Sequence, residues 1–554
     1  MRLLRLLIVL LILVNIPVDF LNSQSKPYEV VEYSFKAKTH HQNPYLEAFL
    51  PDRGHYLLAE FTEMNGQRTY NVPGFWDGAN NWKVRFAPPN PGTWQYTTHS
   101  KDTGLDGHSG TFTVESWGNS DLEENPIRRG FIQVNEDSER AGRYFQYADG
   151  TPFLWIGDTW WNWSKENIEF SSFEKLVADR IEKRFTLGQL FVAANGWGDI
   201  ASILENDFTE LDVGHMQKVD SMIAHANESG LVVWVHGWWS RKNIRERIGE
   251  EKIQRWWKYL VSRLSAYNVI WVLAGEYNLH DYGGFSLAFW NELGGNIKEW
   301  DPYERITSTH PTPPYWGGGA DAPQWSTAEV IHTQPWLDYN QSQTGHGKWR
   351  NEMTPEIIRN AYEKTPAKPI VITEPWYEFV EGNPTAMDIR FGAWSAFLSG
   401  AAGHSYGGGH VWKAHLPESP MGADTWPMDL SFETNTLDYP GAVSMSVMSK
   451  FLHSIDWWKL EPHPELVVDY AEPYCAADPG NEYVIYLRYG GAAKIDLSDL
   501  PSGAKFQYKW LNPSNGKIGG TGELESGNRR IINAPGGYPS NPDVQDWVIH
   551  IVKQ

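Results

Sequence analysis

The chain of 554 residues contains a single cysteine, Cys475. A disulfide within the chain is therefore impossible, and so is lipid attachment to a cysteine near the N-terminus. Stability must come from the size of the hydrophobic core. Positive charge is also scarce: 47 Lys and Arg residues against 68 Asp and Glu residues leave a formal net charge of −21. This balance argues against nucleic acid as a partner, because phosphates require a basic face.

The N-terminal stretch is apolar but too short to span a membrane. Arg2 and Arg5 precede the apolar residues 6–18, and the polar segment "NSQS" follows them. A run of about 13 apolar residues falls short of the roughly 20 that a spanning helix needs. The layout is typical of a signal peptide. We predict a signal peptide over residues 1–25, cleavage after Ser25, a periplasmic or extracellular location, and no membrane association after cleavage.

Tryptophan, by contrast, is abundant, with 29 residues. A tryptophan side chain is costly to place without burial or a flat apolar partner, and the carbon–hydrogen faces of sugar rings are such partners. Core packing explains many of these residues. The clusters "WW" and "WNW" that follow predicted strands are harder to explain by core packing, and they favour a sugar-binding surface.

The pattern of the chain divides it into three regions. Residues 26–125 alternate polar and apolar positions in short runs such as "WKVRFAP", with turn residues between them, which is typical of a β-sandwich. In residues 126–460 short apolar strands alternate with helical patterns, which predicts a parallel sheet. The strand pattern returns in residues 461–554 and predicts a small terminal β-sandwich.

The middle region contains eight strand candidates, which are "PFLWIGDTWW", "TLGQLFVAAN", "LVVWVHGWW", "NVIWVLAGEYN", "RITSTHP", "EVIHTQPW", "KPIVITEPWYE" and "AAGHSYGGGH". Helical segments fill several gaps, and in one of them a single apolar stripe comprises Ile253, Trp257, Leu260, Val261 and Leu264. Eight strand–helix units predict an α/β fold, a closed (β/α)8 TIM barrel flanked by N-terminal and C-terminal β-sandwich domains. The rival is an open doubly wound sheet. It usually carries fewer strands and a glycine-rich phosphate turn, and the first strand here ends in "GDTWW" instead.

Two of these strand candidates end in a glutamate. Glu276 follows "VIWVLAG", and Glu374 follows "KPIVIT". In a barrel of this kind the C-terminal strand ends face one mouth, where active sites are built. Two carboxylates across a sugar-sized gap suit glycoside hydrolysis: one donates a proton to the leaving oxygen, and the other attacks the anomeric carbon. A separation of about 5 to 5.5 Å would retain the anomeric configuration. We predict Glu276 and Glu374 as the catalytic pair.

Other polar and aromatic residues at the strand ends are candidate sugar contacts. Each has an ordinary alternative, because a histidine there is often structural and a tryptophan usually belongs to the core. Taken together they predict a substrate-binding mouth formed by Asp158, Trp160, Trp161, Asn195, His236, Trp238, Asn278, His310, His332, Trp376, His404 and Tyr406. We expect no metal and no other cofactor, because the histidine pairs lack ligand spacing. The pattern G-x-S-x-G of a serine nucleophile is absent as well.

These motifs resemble those of a known family. The segments "PFLWIGDTWW", "NVIWVLAGEYN" and "KPIVITEPWYE" are similar to the apiosidase-like glycosidases, glycoside hydrolase family 140 and its relatives, which are barrels akin to clan A retaining enzymes. The resemblance implies that the acid/base follows the fourth strand and the nucleophile the seventh, which are Glu276 and Glu374. It covers residues from about 140 to 460. The flanking regions resemble the β-sandwich often found ahead of these barrels and the small C-terminal domain sometimes described as collagen-binding.

The chain departs from the family pattern at two positions. The wider clan usually has Asn directly before the acid/base, and this chain has Gly275 there, so the contact to the sugar 2-hydroxyl would pass to Asn195 or Asn278. The resemblance also implies Asp as acid/base in the apiosidases, where this chain has Glu276. A side chain one methylene longer implies a different subsite or leaving group, and apiose is not assumed as the substrate.

The sequence therefore predicts a secreted retaining glycoside hydrolase acting on a plant or algal polysaccharide or its oligosaccharides. One alternative is a non-catalytic carbohydrate-binding or adhesion protein on an inactive barrel, which would be expected to lose one of the two carboxylates. Another is a polysaccharide lyase, whose chemistry needs a base together with arginine or a metal to neutralise a uronate. The strand ends are poor in arginine, which disfavours a lyase. The sequence predicts no particular oligomeric state.

Overall fold

The computed structural model describes residues 24–66, 68–136, 139–193, 208–240, 244–313, 325–414, 436–536 and 545–554. Most of the predicted signal peptide, residues 1–23, lies outside them, so its prediction stays a prediction. None of the helices in these ranges has the length and apolar character that a membrane crossing requires.

Two sheets packed face to face form the N-terminal region, as predicted. The larger sheet has the order β1-β8-β7-β3-β4 and the smaller the order β2-β6-β5. Their bounds are β1 Gln24–Ser25, β2 Val31–Lys36, β3 Leu57–Glu63, β4 Thr69–Pro73, β5 Phe75–Trp76, β6 Asn81–Phe86, β7 Gly92–Ser100 and β8 Ser109–Val114, with helix α1 at Pro44–Ala48. The alternating residues predicted to face inward meet between the sheets, where the rings of Phe61 and Phe86 stack 4.1 Å apart. Strand β1 pairs in parallel with Thr113 and Val114, so the last two residues of the predicted signal peptide belong to this sheet.

A short connecting segment covers the N-terminal end of the barrel. It contains helix α2 (Asn119–Glu124), a 3-10 turn at Pro126–Arg129, and the three-stranded antiparallel sheet β9 Gln133–Val134, β10 Phe145–Gln146 and β11 Pro152–Phe153. The ring of Phe145 lies 5.0 Å from that of Trp155 and 5.5 Å from that of Tyr339. Both partners belong to the apolar cluster inside the barrel. The small sheet therefore forms the floor of the barrel, opposite the mouth.

The middle region contains an eight-stranded parallel sheet, nearly closed into a barrel. This confirms the predicted fold class. The barrel strands are β12 Trp155–Trp160, β13 Leu187–Phe191, β15 Val232–His236, β16 Val269–Val272, β17 Thr307–Ser308, β18 Asn340–Gln343, β19 Ile370–Glu374 and β20 Gly403–Tyr406, and the short strand β14 (Glu210–Leu211) lies outside the sheet. Between β17 and β18 the sheet is joined by hydrogen bonds instead of a ladder. Asp338 N donates to Thr307 O at 3.0 Å, and Ser308 Oγ donates to Tyr339 O at 2.8 Å.

The sixth barrel strand differs from the prediction. The apolar segment "EVIHTQPW" was expected to form it, but that segment folds as a 3-10 turn (Thr327–Glu329) and loops, and the strand is the polar "NQSQ" of β18. A buried strand tolerates polar side chains when they are hydrogen-bonded. Asn340 pairs with His332, and Gln341 Nε2 donates to the Tyr339 hydroxyl at 3.2 Å. An apolar pattern could not reveal such a strand.

Helices pack around the barrel with one apolar face inward. They are α3 Phe170–Glu182, α4 Val213–Glu228, α5 Ile244–Arg247, α6 Glu250–Leu264, α7 Leu279–Tyr282, α8 Leu287–Trp300, α9 Lys348–Glu352, α10 Thr354–Tyr362, α11 Ala386–Leu398 and α12 Pro440–Leu452. The apolar stripe predicted on α6 is fully buried. Trp257 from that stripe also donates its indole N–H to Leu273 O at 3.0 Å, which ties α6 to the loop after β16.

The C-terminal region is also built from two sheets, as predicted. Its six-stranded sheet has the order β21-β23-β24-β29-β26-β27 and its three-stranded sheet the order β22-β25-β28. The bounds are β21 Glu461–Pro462, β22 Val467–Val468, β23 Tyr474–Asp478, β24 Glu482–Leu487, β25 Ala492–Asp496, β26 Lys505–Leu511, β27 Ile518–Glu525, β28 Arg529–Asn533 and β29 Trp547–Lys553. Tyr486 of β24 stacks on Trp394 of α11 with ring centres 6.3 Å apart, so one face of the larger sheet packs on the barrel.

A buried ionic cluster joins the N-terminal sandwich to the barrel helices. Asp220 of α4 accepts from Arg85 of β6 at 2.7 Å and from Arg263 of α6 at 2.6 Å, and Arg263 also reaches Asp77 at 2.8 Å. All four side chains are nearly inaccessible to solvent. Removing one partner of such a cluster leaves the opposite charges buried and uncompensated.

We therefore expect Asp220→Ala to destabilise the protein by about 3 to 5 kcal/mol. Urea denaturation followed by circular dichroism measures this loss. The matched control is Glu124→Ala, which breaks an exposed pair with Arg128 and should leave the urea midpoint almost unchanged. Equal midpoints for Asp220→Ala and the control would show that the ionic cluster does not stabilise the fold.

Candidate active site

Side chains alternate between the inside and the outside of the barrel along each strand, and this alternation decides which residues reach the mouth. On β12 the ring of Trp155 packs inside the barrel, 4.9 Å from that of Trp234. The same inward face leads to Trp161, just past the end of β12. Its ring lies 4.7 Å from His236 and 5.1 Å from Trp239. These inward-facing rings form one aromatic wall at the C-terminal end of the barrel.

Glu374 ends β19 and is held between two imidazoles. His346 Nε2 lies 3.3 Å from Oε1, and His310 Nε2 lies 3.5 Å from Oε2. Nδ1 of His346 accepts from the backbone N–H of Tyr377 at 3.4 Å, so a neutral His346 ring carries its proton on Nε2, facing Glu374. The Nδ1 of His310 faces the carbonyl of Pro311 at 2.9 Å and must donate to it. A neutral His310 therefore has no proton to offer Glu374.

The consequence is an asymmetric carboxylate. Oε1 of Glu374 faces a donor, while Oε2 has no hydrogen-bond partner among the described residues. Further buried polar atoms nearby also lack partners within the described part of the chain, namely both ring nitrogens of His236, Oε1 of Gln343 and the hydroxyl of Tyr377. Unsatisfied buried polar atoms are rare in folded proteins, and a cluster of them marks a place where a ligand or water binds.

Glu276 lies beyond the end of β16. Its Oε2 accepts from the indole N–H of Trp239 at 3.0 Å, and its Oε1 accepts from Gln343 Nε2 at 3.4 Å. The backbone of Glu276 has φ +46°, in the left-handed region that residues other than glycine seldom occupy. Such strain persists only where the surrounding structure enforces it, and it clusters at functional sites.

The two glutamates share their neighbours. Gln343 donates to Glu276 and stands opposite Glu374 in the β18–β19 pairing. The ring of His310, which approaches Glu374, lies 5.8 Å from the ring of Trp239, which donates to Glu276. The structure thus connects Glu276 and Glu374 through two independent sets of side chains in a single cluster at the mouth.

Burial lowers the pKa of two histidines of this cluster, His310 and His236. Desolvation lowers the pKa of His310 to about 4, although the Glu374 carboxylate acts in the opposite direction. Desolvation also holds the pKa of His236 well below its usual range, and the nearby His310 lowers it further. At neutral pH these two imidazoles are therefore uncharged.

The structure places the predicted sugar contacts in different positions. Trp161, His236 and His310 lie in the cluster with the glutamates. Asn278 follows Glu276 and accepts from the backbone N–H of Thr312 at 2.8 Å. Trp376 follows Glu374, and its indole N–H donates to Val380 O and Glu381 O in its own loop. Asn195 lies outside the described residues.

Six other predicted contacts are not brought to the cluster. Asp158 and Trp160 lie on the outer face of β12, where Asp158 pairs with Arg180 at 2.7 Å and the ring of Trp160 meets Phe173 at 5.4 Å. Position at a strand end does not distinguish the two faces of a strand, and the structure places these two side chains on the face opposite to that of Trp161. The remaining four are engaged elsewhere: Trp238 stacks on Trp290 of α8, His332 bonds to Asn340 and Pro366 O, Tyr406 donates to Glu378, and the buried His404 shares the face of Tyr406.

Four residues of the cluster were not among the sequence candidates, namely Trp239, Gln343, His346 and Tyr377. Trp239 is the second tryptophan of "GWW", beside the candidate Trp238. Strand β15 ends at His236, so the alternation that would have selected between the two no longer applies. Gln343 ends the sixth strand and His346 follows it, and the apolar pattern misplaced this strand. Tyr377 lies directly after Trp376, in the loop that begins at Glu374.

The glycine before Glu276 has a steric explanation. A Cβ atom on Gly275 would lie 2.1 Å from Cε3 of Trp239, far inside contact distance. The Trp239 ring thus fills the space that an asparagine side chain would need at position 275. The indole N–H that donates to Glu276 comes from this same ring. Among the described residues, no group of three or more His, Cys, Asp and Glu is placed to hold a metal ion.

The fold is that of a glycoside hydrolase-like barrel. A structure titled as a glycoside hydrolase family 5 protein from Bacteroides vulgatus aligns with 77% of this chain and 95% of its own length, at 20% identity and a TM-score of 0.64. A second structure from Bacteroides vulgatus, titled "putative glycoside hydrolase", aligns with 96% of this chain and 100% of its own length, at 17% identity and a TM-score of 0.69. At these low sequence identities, the two TM-scores show that the proteins share a fold. No curated protein matches the chain.

Comparison with sequence models of protein families shows the family of the chain. The model described as "Apiosidase-like, catalytic domain" matches residues 139–459, more than half of the chain, and the protein belongs to this family. A domain of unknown function, DUF5060, matches residues 24–101. The model described as "Putative collagen-binding domain of a collagenase" matches residues 462–552. The resemblance stated from the sequence is confirmed in all three regions.

The low pKa of His310 predicts acid sensitivity. Above pH 6.5 the ring is neutral both folded and unfolded, so its contribution to stability is complete. As the pH falls from 6.5 towards 4, the unfolded chain binds a proton that the folded protein does not, and stability falls by up to about 1.4 kcal/mol per pH unit. The urea midpoint of His310→Gln should therefore decrease less steeply over this range than that of the wild type. Parallel pH profiles would contradict the prediction, and the exposed His99→Gln is the control.

Proposed function

We propose that the protein is a retaining glycoside hydrolase in which Glu374 is the nucleophile and Glu276 the general acid and base. The observation that supports this most is the difference between the two carboxyl groups. Both oxygens of Glu276 accept hydrogen bonds, while Glu374 keeps one oxygen without a partner among the described residues. A nucleophilic oxygen must be available to carbon, whereas a proton donor is oriented by its neighbours.

In the first step Oε2 of Glu374 attacks the anomeric carbon, and the bond from that carbon to the glycosidic oxygen breaks. The leaving oxygen takes the proton of Glu276, which becomes a carboxylate. Trp239 and Gln343 donate to that carboxylate and stabilise the charge that it gains. Before the attack, Nε2 of His346 faces Oε1 of Glu374 and stabilises the negative charge of that carboxylate.

In the second step Glu276 removes a proton from water, and the water oxygen attacks the anomeric carbon. The bond between this carbon and Glu374 breaks, which restores both glutamates to their initial states. Two inversions at the same carbon give net retention. The neutral ring of His310 carries no proton on Nε2, so it donates no hydrogen bond to Oε2 and leaves the lone pairs of this oxygen available to the anomeric carbon.

The substrate that we propose is a plant or algal polysaccharide or one of its oligosaccharides. The aromatic wall presents flat faces to a sugar ring, and the rings at the mouth are those of Trp161, Trp239, His236 and His310. A net charge of −21 disfavours a polyanionic chain in the absence of a local basic site. Export through a signal peptide to the periplasm or the exterior would bring the enzyme to such polymers.

A polysaccharide panel tests the function as a whole. The expected result is the release of new reducing ends from at least one plant or marine polysaccharide, without an unsaturated product that absorbs in the ultraviolet. Ultraviolet-absorbing products would assign a lyase instead. Binding of a polysaccharide without release of reducing ends, by wild-type protein across the panel, would assign a non-catalytic binding protein.

Glu374→Ala should lower kcat at least about 10⁴-fold, because the covalent step is lost. The fold should persist, as measured by circular dichroism. Added azide should restore turnover of an aryl glycoside and give a glycosyl azide of inverted configuration, because the small anion occupies the space of the missing carboxylate. Full activity without azide would exclude Glu374 as the nucleophile. Glu174→Ala, which removes an exposed carboxylate from helix α3 on the outside of the barrel, is the control and should retain activity.

Glu276→Gln should slow the hydrolysis of a natural glycoside about 10²- to 10⁴-fold. An aryl glycoside with a good leaving group needs little protonation, so its first step should be affected much less. The comparison of kcat/KM for the two substrates measures the role as acid. Equal losses on both substrates would contradict that role.

A further inference from the structure

Trp349 is the most exposed tryptophan among the described residues, with 49% of its surface accessible. A single exposed apolar side chain is common and needs no special explanation. The position of Trp349 distinguishes it, because both the turn around it and its neighbour Trp325 are connected to the candidate active site.

The first tie runs through the backbone before Trp349. His346, which faces Glu374, precedes it by three residues, a span of at most about 10 Å. The next residue, Arg350, donates from Nη1 to His346 O at 3.1 Å and closes this turn. The guanidinium of Arg350 lies 5.2 Å from the centre of the Trp349 ring. The ring is thus held beside the residue that positions the proposed nucleophile.

The second tie runs through Trp325. Its ring meets that of Trp349 edge-on, with centres 6.3 Å apart and an interplanar angle of 89°. The carbonyl of Trp325 accepts from the backbone N–H of Gln343 at 2.9 Å, and Gln343 donates to Glu276. The tryptophan pair is therefore linked to Glu276 through Gln343, and to Glu374 through the turn that joins His346 to Arg350.

Helix α9, which carries Trp349, is itself firmly anchored. The buried Asn351 donates to Asp388 O of α11 at 2.9 Å. A ring on an anchored helix loses little conformational freedom when a ligand stacks on it, which favours binding. Beyond Trp325 a surface groove of about 570 Å³ continues between the 3-10 turn at Thr327–Glu329 and helix α10. That volume is in the range of pockets that hold small ligands.

We infer that Trp349, supported by Trp325, forms a subsite for a sugar unit of the substrate next to the one bound at the two glutamates. The inference rests on the proposed function for the identity of the ligand. Its occupant is a neutral pyranose or furanose residue of a polysaccharide, whose carbon–hydrogen face stacks on the indole. The groove beyond carries the acidic side chains of Glu329, Glu356 and Glu363 against Lys364. The guanidinium of Arg350 beside the ring already interacts with the carboxylate of Glu381, so this charge balance disfavours a uronate. The subsite extends the protein's recognition from one sugar to a chain.

Affinity gel electrophoresis of the full-length Glu374→Gln protein tests the subsite without turnover. The probes are galactomannan, xyloglucan and arabinoxylan as neutral polymers and polygalacturonate as the acidic one. We expect at least one neutral polymer to retard the protein, and Trp349→Ala to weaken that binding about tenfold. Trp349→Phe should recover most of the affinity. The control is Tyr489→Ala, which removes an aromatic ring of similar exposure, 45%, in the C-terminal region and should bind normally.

Each outcome separates the subsite from the catalytic proposal. Equal retardation of Trp349→Ala and its parent, or no retardation by any neutral polymer, overturns the subsite, as does preferential binding of polygalacturonate. If wild-type protein hydrolyses a polymer that Trp349→Ala binds equally well, the catalytic proposal stands and the subsite fails. If retardation depends on Trp349 but no polymer is hydrolysed, the subsite stands and the catalytic proposal fails. In active protein, Trp349→Ala should raise KM for the polymer more than KM for an aryl monoglycoside.

Discussion

The pairing of β18 with β19 sets the geometry of the candidate active site. A register shift between Ser342 and Gln343 places Gln343 opposite Glu374, and from that position Gln343 donates to Glu276. One side chain therefore links the proposed acid to the strand that carries the proposed nucleophile. Because side-chain direction alternates along a strand, a slip of one residue in this pairing would turn Gln343 and its neighbours to the opposite face. This link requires a polar side chain on β18, which agrees with the polar composition of the strand.

Buried ion pairs join each of the two flanking domains to the barrel. Asp220 of α4 pairs with Arg85 of the N-terminal sandwich and with Arg263 of α6. Arg390 of α11 forms a bidentate pair with Asp546 of the C-terminal region. Buried ion pairs add little net stability compared with apolar packing, but they penalise any arrangement that separates the partners. Each junction therefore specifies how its sandwich sits on the barrel, independently of any glycan that the sandwiches bind.

Which site residues the sequence can predict depends on the type of sequence signal that marks them. A charge after a buried apolar strand is costly unless the strand end is open, and this reasoning predicts both glutamates. It does not select Gln343 or His346, because β18 is polar and is held in part by hydrogen bonds such as that between His332 and Asn340. It also overcounted, since Asp158 and Trp238 lie at strand ends but point to the helices. Apolar patterning detects buried strands and says little about hydrogen-bonded ones.

The sequence by itself determined the order of the three regions and the positions of seven of the eight barrel strands, because periodicity and burial are local properties of a chain. The same local signals singled out the two glutamates that we propose as catalytic. Only the tertiary structure decided which strand-end residues meet. Asp158 and Trp161 stand three positions apart, yet Asp158 pairs with Arg180 outside the barrel and Trp161 joins His236 inside it. The direction of a side chain depends on where its strand ends and on partners distant in sequence, and those partners become neighbours only when the barrel closes.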